Sequence, residues 1–68
     1  MKLCYFIVIV DPGDDPMGIA AHGAAEIRAQ LGDVALCAPT TKAALLRAGW
    51  DEDTILVAGE HLIAAEVP

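Results

Sequence analysis

Apolar side chains run without a break over positions 3–10, where Tyr5, Phe6, Ile7, Val8, Ile9 and Val10 follow one another. A continuous β-branched and aromatic run predicts a strand covered on both faces. Asp11, Pro12 and Gly13 end it. Asp15 then stands as a helix N-cap, because Pro16 falls at the first helical position, where its missing N–H costs nothing. Ile19, Gly23, Ile27 and Leu31 recur at every fourth position, with Ala20 and Ala24 beside them. That spacing predicts an amphipathic helix from Pro16 to about Leu31, closed by Gly32.

A second strand is expected over 34–37, stopped before Pro39. Thr40 or Thr41 caps a second helix over Lys42–Ala48, and Gly49 ends it. Trp50 stands just past that glycine, where an apolar residue folds back onto the last turn. Asp51, Glu52 and Asp53 read as a solvated loop, and 54–58 as a third strand. The order β-α-β-α-β implies a parallel sheet in two or three layers, flavodoxin-like or half-Rossmann-like. The tail, 60–68, reads as a further strand or a short helix. Its Leu62, Ile63 and Val67 make it a packing or swapping element of an assembly.

Size sharpens that expectation. The chain has 68 residues, enough for one domain over 1–68. So short a chain buries only about 60% of its unfolded surface, and alanine adds little area per residue. Association with further copies, or with a larger protein partner, would complete the core. Four Lys and Arg against ten Asp and Glu leave a net charge of −6. Such a balance is a poor match for phosphate backbones, so no nucleic-acid partner is expected. The run over 3–10 is far shorter than the ~20 residues of a membrane span, and no small-residue cleavage site follows it. A cytoplasmic protein without a membrane partner is therefore expected. Cys4 and Cys37 both lie in apolar runs and are read as reduced, packed thiols.

Candidate chemistry follows from the parallel-sheet reading, because ligands in such sheets bind beyond the carboxyl ends of the strands. Asp11, Asp14 and Asp15 would stand after the first strand, Thr40 and Thr41 after the second, and Glu60 after the third. These six are the candidate ligand-binding residues. Three carboxylates beside a helix start could bind Mg²⁺, but their role as caps and dipole partners is the preferred reading. Cys37 would stand shortly before a helix N-terminus, where the dipole favours the thiolate. His61 could assist it in thiol chemistry, so Cys37 and His61 are the candidate catalytic pair. No glycine-rich phosphate loop occurs: Ile19 stands where a Walker lysine would be. The Cys and His spacings match no zinc pattern. No metal and no cofactor is expected.

The Tyr5–Val10 strand, the Gly13-Asp14-Asp15-Pro16 loop and the alanine-rich segment after it resemble the start of DsrE/DsrF-like proteins. The resemblance covers about the first half of the chain. It implies an oligomeric α/β protein and, in several members, sulfur carried on a cysteine as a persulfide. That cysteine lies later in the family's fold than Cys37 does here, so the role does not pass to Cys37 by position. The aspartate cluster is also similar to the acidic pocket of response-regulator receivers. The third strand, however, ends in Val57 and Ala58 with no aspartate to accept phosphate, and no lysine follows. The leading expectation is a small α/β protein acting by self-association or as an accessory subunit. A thiol or sulfur carrier using Cys37, and a small-ligand binder at the strand ends, stand behind it.

Overall fold

The computed structural model describes residues 2–59. The first apolar run forms strand β1, Cys4–Ile9. The chain then turns back instead of entering a helix. Asp14 N–H donates to the Asp11 carbonyl at 3.0 Å, and Gly13 takes a positive φ of 94°, which a side chain would disfavour. Met17–Ala21 forms β2, antiparallel to β1, with Phe6 opposite Ile19. Helix α1 covers only Ala24–Leu31. Only the second half of the helix expected from Pro16 is thus helical, and its first part is a strand.

The physical reason lies in what β2 buries. Ile19, Ala20 and Ala21 are all essentially inaccessible. Ile19 and Ala21 join Phe6, Val8 and Ile27 on the α1 side of the sheet. Ala20 joins Leu45 and Ile55 on the other side. A helix would expose one face of this segment; a central strand covers both. Glycine also costs a helix interior about 1 kcal/mol per residue, and Gly18 and Gly23 both fall in the segment.

Strand β3, Leu36–Thr40, pairs antiparallel with β1 on its other side, with Ile7 opposite Ala38. It begins two residues later than expected and runs through Pro39. The tolerance is positional: β3 is an edge strand, and proline sits in sheets where its missing donor faces no neighbour. Helix α2, Lys42–Ala48, falls where the sequence places it. The Thr41 hydroxyl accepts from Ala44 N–H at 3.1 Å. Gly49 takes the left-handed conformation, and Trp50 N–H closes onto the Leu45 carbonyl at 3.0 Å. A 3-10 turn, Glu52–Thr54, leads into the short strand β4, Leu56–Val57, parallel to β2.

Among the described residues the sheet order is β3-β1-β2-β4, with only the β2–β4 pair parallel. This corrects the expected parallel, flavodoxin-like or half-Rossmann-like sheet to a mixed, mostly antiparallel one. Two helices cover its opposite faces. The α1 cluster holds Phe6, Val8, Ile19, Ala21, Ile27 and Ala58. The α2 cluster is smaller, with Ala20, Leu45 and Ile55 at its centre and Tyr5, Ile7, Trp50 and Val57 around them. No helix of the described residues is long and apolar enough to cross a membrane.

Candidate functional site

Antiparallel pairing separates residues that a parallel sheet would gather. Asp11, Asp14 and Asp15 are exposed in the β1–β2 loop, at the end where Ile9 meets Leu36. Thr40 and Thr41 lie at the opposite end, where Thr40 pairs with Tyr5. The six ligand candidates therefore do not share one sheet edge, and Glu60 and His61 lie outside the described residues. Within the acidic loop, Asp11 N–H donates to Asp14 Oδ2 at 3.3 Å. The Asp14 carboxylate thus braces a hairpin turn, and the three aspartates flank no helix start. Among the described residues no three His, Cys, Asp or Glu side chains stand close enough together to hold a metal ion.

Cys37 lies within β3, opposite Val8, half-buried against the α1 cluster. It is four ladder positions from the level of Cys4, and both thiols are free. Cys4 is exposed at the start of β1, a correction to its reading as packing. Thr41 has a structural task as the cap of α2. His22 is exposed just before α1, where Glu26 Oε1 accepts from its backbone N–H at 2.9 Å and lies 3.3 Å from its Nδ1.

Two features were not read from the sequence. The first is an apolar strip on the α2 side of the sheet. Residues opposite one another on neighbouring strands share a face. Tyr5 and Ile7 pack toward α2, so Ile9, Leu36 and Ala38 project to the same side. Helix α2 lies over β1 and β2 and leaves these three out of both core clusters. Leu36 is 42% exposed. The aspartate loop borders this strip.

The second is an open hollow of about 170 Å³ nearer the other end of that face. Leu3, Tyr5, Ala20, Ile55 and Val57 form its apolar lining. Lys42, the first residue of α2, and Glu52, in the 3-10 turn, supply its charges and pair at 2.5 Å. The hydrogen bond to Glu52, and then its charge, raise the Lys42 pKa above the usual lysine range. The same bond and charge lower the Glu52 carboxyl below its usual range. Reciprocal bonds between Asp51 and Thr54 fix the turn that presents Glu52. Residues 51–53 are exposed as expected, but they enter a 3-10 turn where the sequence predicts a loop. The lining comes from positions 3 to 57, so no local motif announced it. Comparison with protein-family models, curated proteins and solved structures finds no match to this chain.

Proposed function

We propose that the protein is a non-catalytic assembly module that acts by self-association through the Ile9–Leu36–Ala38 strip. The observation that carries this reading is Leu36, a large apolar side chain left 42% exposed on a sheet face beside half-buried Ile9. A domain this small gains more than most from burying such a strip, because its own core is limited. The acidic loop gives the contact an electrostatic signature. Each copy carries a net charge of −6, so salt screens the repulsion between copies and favours assembly. Docking as an accessory subunit on a basic partner would show the opposite salt dependence.

Sedimentation velocity tests the proposal. The wild-type chain is expected to sediment as an oligomer that tightens as salt rises, and Leu36→Asp as a monomer with unchanged circular dichroism. A monomeric wild type at all concentrations, or an oligomer indifferent to Leu36→Asp, would overturn self-association through this strip.

A further inference from the structure

We infer that the hollow between α2 and the sheet is a binding site for a small free α-amino acid with a branched aliphatic side chain. Its volume of about 170 Å³ is below the ~300–1,000 Å³ of sites for drug-sized molecules, so its occupant is small. Its floor carries Tyr5, Ala20 and Val57 from three adjacent strands, with Ile55 and Leu3 at the sides. Such a surface suits one aliphatic group. The charges consist of one cation and one anion side by side, Lys42 and Glu52. A molecule complementary to this pair carries a carboxylate for Lys42 and an ammonium for Glu52, both on the carbon that bears the apolar group. That description is an α-amino acid.

The exchange of partners costs little. Both side chains are well exposed, at 45% and 69%, and exposed ion pairs contribute little to stability. The amino acid replaces one ion pair with two and covers the apolar floor. Anchoring the charges differs at the two sides. Lys42 opens a helix whose start is fixed by Thr41, and Glu52 sits on a turn closed by Asp51 and Thr54. The backbone positions from which the two charges extend are therefore set by the fold. This site is separate from the Leu36 strip, and its failure would leave the assembly proposal untouched.

Amide chemical-shift titration of the whole chain with L-leucine tests the inference. L-leucine is expected to shift the amides of Leu3, Tyr5 and Val57. It should bind about tenfold or more tightly than 4-methylpentanoate, which lacks the ammonium, isoamylamine, which lacks the carboxylate, or glycine, which lacks the side chain. Lys42→Gln should weaken leucine to the level of isoamylamine, and Glu52→Gln to that of 4-methylpentanoate, with the rest of each spectrum preserved. Absence of shifts at leucine's solubility limit would overturn the site. So would equal shifts from glycine, or leucine binding unchanged in both variants.

Discussion

Gly18 shows how a single position ties the sheet to α2. A Cβ built there would stand 3.2 Å from Trp50 Cδ1 and Nε1, and 3.3 Å from Leu45 Cδ1. Bare backbone is what lets the Trp50 ring lie on β2. Gly18→Val adds volume under that ring and is expected to cost about 1–3 kcal/mol in chemical denaturation. A red shift of Trp50 fluorescence should accompany it; an unshifted spectrum would mean that the ring is not seated there. Thr41→Ala removes the hydroxyl that accepts from Ala44 N–H and should cost about 1 kcal/mol. The Lys42–Glu52 pair acts at the same scale, through pH. Glu52 has a lowered folded pKa, so its contribution exists above its unfolded pKa and is lost as pH falls through the folded one. Lys42 has a raised pKa, so its share is present below its unfolded pKa and is lost as pH rises through the folded one. Both side chains are largely open to solvent, so the effect is small and screened by salt. The thermal midpoints of wild type and Glu52→Gln should therefore differ slightly near neutrality and converge in acid. A gap that persists there would assign it to something other than the charge.

Among the elements, β3 is the most informative. It is a sheet edge among the described residues, and such edges recruit other strands unless something blocks them. Pro39 removes a donor from it. Pro39→Thr restores that donor and is expected to produce higher-order species at concentrations where the wild type keeps a fixed stoichiometry. No change in the sedimentation profile would show that the edge is guarded by something else. The same element separates what a sequence can tell from what it cannot. Helix α2 was legible to the residue, because Thr41, Gly49 and Trp50 act within a few positions of one another. Strand β1 was legible because an unbroken apolar run has few other uses. Strand β2 was not. Ile19, Ile27 and Leu31 keep helical spacing whether or not Ile19 is helical, and only the pairing of Phe6 with Ile19 decides it. That one misreading turned an antiparallel hairpin into a parallel crossover. It also placed Asp11, Asp14 and Asp15 on the same edge as Thr40 and Thr41, which the register sets at opposite ends.

For the whole molecule, the unequal cover of the two faces matters most. Helix α1 closes a core that extends from Phe6 to Ala58, whereas α2 leaves a strip at one end of its face and a hollow nearer the other. The strip is apolar and bordered by carboxylates; the hollow is apolar and bordered by one charge of each sign. These borders assign them different occupants, a second copy for the strip and a small zwitterion for the hollow. The central claim is that copies of the chain meet face to face at the strip, with Pro39 keeping the strand edges apart. Isotope-filtered nuclear Overhauser spectroscopy on a mixture of labelled and unlabelled chains tests it most directly. Intermolecular contacts between the methyl groups of Ile9 and Leu36 are predicted. Contacts confined to the β3 backbone or to another surface, or no intermolecular contacts at all, would contradict it.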